Sequence, residues 1–331
     1  IDLCYCSFNT HDSDYAVHSS HTYPYSENWI KRLSNAHSLS AQDLALLDAD
    51  LAFLFSRSIA DFIKENAIEI VDAIASHGHT VFHQPSKKYT LQIGNGSYLS
   101  ALTNKKVISD FRSADVALGG QGAPLVPIGD RDLFAGYKNR LNLGGFGNIS
   151  FQKEEQTIAY DICPVNMALN ELAAHFKLSY DKGGEIAKSG EIVPLFLKTL
   201  NSVDFYKEDY PKSLGIEWYK EVFRPIVRNF KADERDKLRT LVEHIALQLS
   251  TEFIDGSVLI TGGGAHNDFL IERIQHNTSN EIILPSKQII DFKEAIIFAY
   301  LAHLRLLDKN NVLASVTGAS KDHCAGAINI P

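Results

Sequence analysis

The chain has 331 residues, of which 45% are hydrophobic and 22% are charged, a composition typical of a globular protein long enough for two domains. Its formal net charge of −8 offers no basic footprint for nucleic acid, and no apolar run reaches the roughly 18 residues that a membrane span needs. The four cysteines show no CxxC spacing and there is no signal-peptide pattern, so we expect a reduced, cytoplasmic protein.

The first half of the chain opens in a strand pattern. Residues 1–8 (IDLCYCSF) favour a β-strand, and because the first residue is Ile rather than Met, we expect the natural beginning to be missing. Ser40 is a good N-cap for a helix over residues 41–66, where leucines recur at helical spacing. Further short elements are predicted at 89–94 (strand), 97–103 (helical turn) and 106–110 (strand).

Three histidines lie close together in SHGHTVFHQP. His77 and His79 would share one face of a strand, which is one way to build a metal-binding pair, and His83 follows. Because the sequence shows no third ligand, we favour the wall of a polar pocket over a metal site.

A charged cluster precedes a glycine-rich loop in SDFRSADVALGGQGAPLVP. Arg112 could make a bidentate contact with an anionic or hydroxyl-rich ligand, or it could form a local ion pair with Asp110 or Asp115. The glycines and prolines that follow predict a tight, non-repetitive loop. Since the composition changes after this loop, we place a domain boundary near residue 135.

A predicted β-hairpin spans residues 142–166. Two runs of β-forming residues flank the polar segment 152–156, and glycines lie inside the first of them. The second run ends at Asp161, and Pro164 stops the pairing. This arrangement favours phosphate contact by backbone N–H groups and proton abstraction by Asp161, although a tight hairpin with a solvated aspartate explains the same residues equally well.

A second glycine-rich turn follows the apolar run 258–260, in TGGGAHND, and a helix is predicted after it at 269–275. Helices are also predicted at 236–253 and 292–307. Strands with interspersed helices occur twice, which predicts an α/β protein of two domains with a cleft between them. The chain has no GxxxxGK[ST] or GxSxG, and GGGAHN is a poor match to GxGxxG.

The motifs together resemble those of a known family. SHGHTVFHQP, TLQIG, SDFRSADVALGGQGAPLVP, NLGGFGNIS, DICPVN, PKSLGIEW, TGGGAHN, FKEAIIFAYLA and VTGAS occur in this order. They are similar to the anhydro-N-acetylmuramic acid kinases over nearly the whole chain. The resemblance implies two RNase-H-like lobes of the actin-like ATPase fold around a central cleft. They would span residues 1–135 and 136–331, and the last segment could pack back on the first lobe.

The resemblance also implies an activity used in peptidoglycan recycling. Water would open the 1,6-anhydro ring of the sugar while ATP, with Mg²⁺, phosphorylates O6, and the partner would be a small sugar rather than nucleic acid or a membrane. The enzyme could form a homodimer. The residues that it assigns are catalytic Asp161 and Glu294; sugar-binding Arg112, His77 and Asp110; and ATP-binding Gly144, Gly145, Asn148, Gly262, Gly263, Gly264 and Asn267.

Two departures from the family pattern leave alternatives open. The family's first phosphate loop, GxxSGTSxDG, would lie directly before Ile1, and D-I-C-P-V-N stands where the family has D-T-G-P-x-N. Ile162 and Cys163 would make one backbone approach to phosphate bulkier. The alternatives are therefore a kinase of a related amino sugar or anhydrosugar, and a nucleotide-binding relative with impaired catalysis.

Overall fold

The computed structural model describes residues 1–9 and 14–331. The chain divides into two compact units. The first combines Ile1–Leu133 with Glu294–Pro331, and the second is Phe134–Lys293. The first division lies beside the boundary placed near residue 135, and the C-terminal segment groups with the first unit.

Both units contain strands and helices. The strands are β1 (Asp2–Phe8), β2 (Tyr15–Thr22), β3 (Ile74–Ala75), β4 (His79–Gln84), β5 (Tyr89–Ile93), β6 (Val107–Ser109), β7 (Asn139–Leu143), β8 (Phe146–Lys153), β9 (Gln156–Pro164), β10 (Ser257–Thr261), β11 (Glu281–Ile283) and β12 (Ala327–Asn329). The helices are α1 (Glu27–Ser34), α2 (Ala41–Glu65), α3 (Gly96–Thr103), α4 (Ser113–Ala117), α5 (Pro127–Leu133), α6 (Asn166–Ala173), α7 (Glu185–Lys188), α8 (Pro194–Asn201), α9 (Ile216–Trp218), α10 (Arg224–Asn229), α11 (Glu234–Thr251), α12 (Asp268–His276), α13 (Lys287–Leu306) and α14 (Ala314–Thr317). The mixed α/β class predicted from the sequence is confirmed.

The strands of the first unit pair in small groups. β1 pairs antiparallel with β2, and β4 with β5. β6 pairs parallel with β3 and antiparallel with β12, so the C-terminal strand belongs to the same small sheet as two strands of the N-terminal segment. Helix α2 begins where the sequence predicted, because the Ser40 hydroxyl accepts a hydrogen bond from the Asp43 N–H. Its apolar face packs in a core with Leu99 of α3 and Val107 of β6.

The second unit is built on one five-stranded mixed sheet in the order β9-β8-β7-β10-β11. β7, β8 and β9 pair antiparallel, whereas β10 is parallel to both β7 and β11. This is the strand order and orientation of an RNase-H-like lobe. The strands β7, β9 and β10 therefore run in one direction, and their carboxyl ends lie at the same edge of the sheet.

The core of the second unit lies between this sheet and the helices α6, α8, α11 and α12. Helix α11 contributes an apolar side that the 3.6-residue pattern predicted, and Leu238, Leu241 and Ile245 are fully buried in it. No helix in the described part of the chain, residues 1–9 and 14–331, has the length and apolar character needed to cross a lipid bilayer.

Candidate active site

A row of polar side chains crosses the sheet of the second unit at its carboxyl edge. Asn142 of β7 lies opposite Asn148 of β8 and also opposite Thr261 of β10. Asn148 in turn lies opposite Asp161 of β9. Because residues directly opposite each other in neighbouring strands project from the same face, the register brings a carboxylate, two carboxamides and a hydroxyl together. Ligands of open α/β sheets bind at this edge.

Two glycine turns border this polar row. Gly144 and Gly145 connect β7 to β8, and residues 262–264 follow β10. Asn166 is hydrogen-bonded to the first of these turns: its N–H donates to the Gly144 carbonyl at 3.2 Å, and its Nδ2 donates to the Leu143 carbonyl at 2.9 Å. A side chain at Gly262, where φ is +82°, would collide with Asn142 and with the Leu143 backbone. The turns are therefore packed backbone against backbone.

Backbone donors of these turns are available to a ligand. Gly145 and Gly263 are both exposed, and within residues 1–9 and 14–331 their N–H groups donate to no protein acceptor. Free N–H groups on successive turns suit the oxygens of a phosphate. The carboxamide of Asn267, also predicted to contact ATP, accepts a hydrogen bond from the Leu270 N–H at 3.0 Å and so caps α12.

The predicted hairpin is confirmed in its pairing, but not in the end of its second strand or in the place of two glycines. β9 continues past Asp161 to Pro164, which pairs with Phe146, because β9 is an edge strand and an edge strand tolerates proline. Of the glycines expected inside the first strand, only Gly147 lies within β8. Gly144 and Gly145 form the preceding reversal instead, closed by a hydrogen bond from the Gly144 N–H to the Phe146 carbonyl at 3.1 Å. The reason is geometric: the chain must turn between two antiparallel strands, and glycines are suited to that turn.

Asp161 is held by a segment that is distant in sequence. The Leu214 N–H donates to Asp161 Oδ2 at 2.8 Å, and the Asp161 N–H donates to the Lys212 carbonyl at 3.2 Å. Burial raises the pKa of the Asp161 carboxyl, while the hydrogen bond from Leu214 lowers it. A carboxylate with a raised pKa and a fixed orientation is suited to act as a general base.

The segment that holds Asp161 is itself anchored by an ion pair. The nearly buried Lys212 ammonium forms an ion pair with Glu252 at 3.3 Å, and Glu252 also accepts a hydrogen bond from the Tyr160 hydroxyl at 2.8 Å. The local pattern at residues 212–214 indicates no role for them, because a contact across 53 residues leaves no local signal. Asn142 and Thr261 were missed for a similar reason, since only the strand register shows that they share a row with Asp161.

A second group of predicted residues lies in the first unit, around Arg112. Its guanidinium donates from Nε and Nη2 to His77 Nε2 at 3.0 and 2.7 Å, and from Nη1 to the Gly122 carbonyl at 2.6 Å. Burial lowers the pKa of Arg112, and the nearby charge of Glu294 raises it. Among the described residues no carboxylate lies within 4.0 Å of this guanidinium, so a local ion pair does not account for it.

Asp115 fixes the glycine-rich loop rather than Arg112. Its carboxylate is fully buried, accepts the Gly122 N–H at 2.6 Å and accepts the Thr317 hydroxyl at 2.7 Å. Gly122 has a φ of +68°, and a side chain there would meet Val116. The buried carboxylate thus sets the position of the loop whose carbonyl receives Arg112.

Asp110 and Glu294 are both exposed, as a ligand contact requires. Asp110 Oδ1 accepts the Ser113 N–H at 3.2 Å, which leaves its other oxygen for a ligand. Glu294 on α13 lines a cavity of about 750 Å³ in the first unit, together with His77 and His79. Among residues 1–9 and 14–331, no three His, Cys, Asp or Glu side chains come together in a way that could hold a metal ion.

The comparison with known families decides the identity of the chain. Residues 1–331 match the family described as Anhydro-N-acetylmuramic acid kinase. The chain belongs to this family. Among its similar relatives, the anhydro-N-acetylmuramic acid kinase of Aliivibrio fischeri is 36% identical over 301 residues, covering 85% of this chain and 82% of the relative. That of Bacillus cereus is 33% identical over 335 residues, covering 92% and 88%. That of a Sulfurovum species is 34% identical over 303 residues, covering 86% and 82%.

The family membership confirms the resemblance read from the ordered motifs. Among solved structures, component A of (R)-2-hydroxyglutaryl-CoA dehydratase from Acidaminococcus fermentans aligns with a TM-score of 0.35 at 14% identity, covering 60% of this chain and 68% of that one. In this chain, the Asp161 carboxylate and both glycine turns lie at one edge of the sheet.

Proposed function

We propose that this chain is an ATP-dependent kinase that opens 1,6-anhydro-N-acetylmuramic acid with water and phosphorylates its O6, giving N-acetylmuramic acid 6-phosphate. The observation that carries the proposal is the place of Asp161. In a chain of this family, it is a fixed carboxylate in a polar row beside two glycine turns with free N–H groups. We further propose that the enzyme acts in the cytoplasm during peptidoglycan recycling, where its free cysteines would stay reduced.

Asp161 serves as the general base in this reaction. It takes a proton from water as the water oxygen bonds to C1 of the sugar, and the bond between C1 and O6 breaks. O6 then carries the electron pair that attacks the γ-phosphorus of ATP, and ADP leaves. Base catalysis of this kind contributes about 10²–10⁴-fold to the rate. The raised pKa that burial gives Asp161 makes it a stronger base than an exposed aspartate.

The glycine turns bind the ATP phosphates through the backbone. Gly144 and Gly145 would contact the phosphates, and residues 262–264 the nucleotide side, with Asn267 holding the helix that follows. Mg²⁺ would be bound mainly by the phosphates, and Asn148, which follows the first glycine turn on β8, would offer a carboxamide oxygen, the kind of ligand that Mg²⁺ prefers. When bound to ATP, Mg²⁺ neutralises charge on the phosphates.

The sugar is bound by residues of the first unit. Arg112 has a buried charge with no carboxylate partner among the described residues, which favours an anionic or hydroxyl-rich ligand. Asp110 offers a free carboxylate oxygen to a sugar hydroxyl, and Glu294 is a second catalytic group close to the reacting sugar.

The family departure at Ile162 and Cys163 supports no second function. Both side chains are buried in the core of the second unit, at 1% and 0% exposure. Neither side chain therefore adds to the exposed surface of the second unit.

The test is product formation by the purified protein with ATP, Mg²⁺ and 1,6-anhydro-N-acetylmuramic acid, followed by mass spectrometry. We expect one phosphorylated, ring-opened product for each ADP. Asp161→Asn should abolish product while ATP still binds. Asp204→Asn removes the same charge from a carboxylate of the second unit that is 93% exposed, and it should leave turnover unchanged. Product from a different sugar only, or full turnover by Asp161→Asn, would refute the proposal.

A further inference from the structure

Both polar atoms of the His77 ring are already engaged within the protein. Nδ1 lies 3.0 Å from the Gly78 carbonyl, and Nε2 lies 3.0 Å from Arg112 Nε and 2.7 Å from Arg112 Nη2. A carbonyl can only accept and a guanidinium can only donate. The proton must therefore reside on Nδ1, and Nε2 must be the acceptor. No ring nitrogen is left for a sugar hydroxyl.

The surroundings of His77 keep the ring neutral. Burial and the charge of Arg112 lower the pKa of His77 to about 4. A neutral imidazole is what the contact requires, because a protonated ring would lose its acceptor and repel the guanidinium. The ring also packs edge-on against Phe298, with the centroids 4.7 Å apart at an interplanar angle of 65°.

The second acceptor of Arg112 is equally fixed. The Gly122 carbonyl receives Nη1 at 2.6 Å, while the N–H of Gly122 is held by the buried Asp115 carboxylate. A guanidinium has five N–H groups, and three of them are used by His77 and Gly122. The two that remain, one on Nη1 and one on Nη2, are available to a ligand.

We propose that His77 is a positioning residue, which acts on the sugar only through Arg112 by holding the guanidinium between its Nε2 and the Gly122 carbonyl. This rests on the proposed function and revises the prediction from the sequence that His77 binds the sugar directly. The expected role of Arg112 is unchanged, and its affinity for the sugar depends on the neutral ring beside it.

Three substitutions separate positioning from direct binding. His77→Gln places a carboxamide oxygen near the position of Nε2 and should retain most activity. His77→Asn is too short to reach Arg112, and His77→Phe keeps the ring but has no acceptor. Both should raise the KM for the sugar about 10- to 100-fold, the value of a hydrogen bond to a charged group, with little change in the KM for ATP.

A double-mutant cycle provides the decisive kinetic readout. If His77 acts through Arg112, then His77→Phe should have no further effect in an Arg112→Ala background. Multiplying effects, or a His77→Gln variant as impaired as His77→Phe, would overturn the proposal. Thermal unfolding of each variant checks the fold, and His77→Asn replaces His77→Phe in the cycle if the latter does not fold.

A measurement on the protein without substrate keeps this inference separate from the proposed activity. Nitrogen-15 NMR of the histidine rings, with His77 assigned by its absence in His77→Gln, should show a neutral ring protonated on Nδ1 at pH 6. A charged ring at that pH, or a proton on Nε2, would overturn the positioning role even in an active enzyme. The expected tautomer in a protein that makes no product would leave this arrangement standing while the proposed function fails.

Discussion

The hydrogen bond from the Leu214 N–H should set the pH at which the enzyme loses activity. This N–H is 2.8 Å from Asp161 Oδ2 and opposes the effect of burial on the pKa of that carboxyl. Leu214→Pro removes the N–H. Leu214→Ala keeps it while also shortening a side chain that is only 9% exposed, and so serves as the matched control for lost packing.

The magnitude follows from the charge of the acceptor. A hydrogen bond to a charged group is worth about 1.5–3 kcal/mol, so its loss should favour protonation of Asp161 by about 10- to 100-fold. Because only the ionised carboxylate can act as base, the acidic limb of the kcat/KM profile should move to higher pH in Leu214→Pro. At alkaline pH the activity should partly recover.

The assay is ADP release across a range of pH at subsaturating sugar. Leu214→Ala should keep the acidic limb of the wild type, even if its rate or thermal stability falls. An unchanged acidic limb in a folded Leu214→Pro protein would refute the idea that this N–H tunes the base. An equal movement in Leu214→Ala would assign the effect to packing instead.

Two further predictions concern the second unit. Gly145→Val should raise the KM for ATP about tenfold or more, because its side chain would block the approach of phosphate to the backbone. Gly136→Val, at an open site without positive φ, should leave this KM unchanged. Equal effects of the two substitutions in kinetic assays would contradict phosphate binding by the turn of Gly144 and Gly145. Burial raises the pKa of Glu243, but hydrogen bonds from Arg273 and Arg239 lower it to about 2, so its stabilisation is present above pH 4.5 and is lost as the pH falls toward 2. Glu243→Gln should cost about 3–5 kcal/mol in urea unfolding at pH 7, and less at pH 3; a loss that does not depend on pH would contradict the ion-pair origin.

Local signals in the sequence predicted the regular elements well. The Ser40 cap and the leucine spacing gave α2 to within a residue at its end, and the polar segment 152–156 marked the turn between β8 and β9. The helix predicted at 292–307 begins earlier, at Lys287, and ends at Leu306. Helix α1 was missed within a polar, tyrosine-rich stretch.

The candidate site was only partly predictable because its contacts are long-range. The motifs named Asp161, Arg112 and the glycine turns, but the partners that orient them lie far away in the chain. Leu214 reaches Asp161 across 53 residues, and His77 reaches Arg112 across 35. Nothing in the local pattern around either partner indicates such a contact, and only the folded backbone brings them together.

The route of the oxygen atoms shows whether water attacks C1 while O6 attacks the γ-phosphorus. The reaction is run in ¹⁸O-water with ATP and 1,6-anhydro-N-acetylmuramic acid, and quenched early because the hydroxyl at C1 exchanges slowly with solvent. Unlabelled product incubated in ¹⁸O-water for the same time corrects for that exchange. The account predicts one ¹⁸O at C1 and none in the phosphate ester. Label in the phosphate ester, or a phosphorylated product that has gained no ¹⁸O at C1, would contradict it.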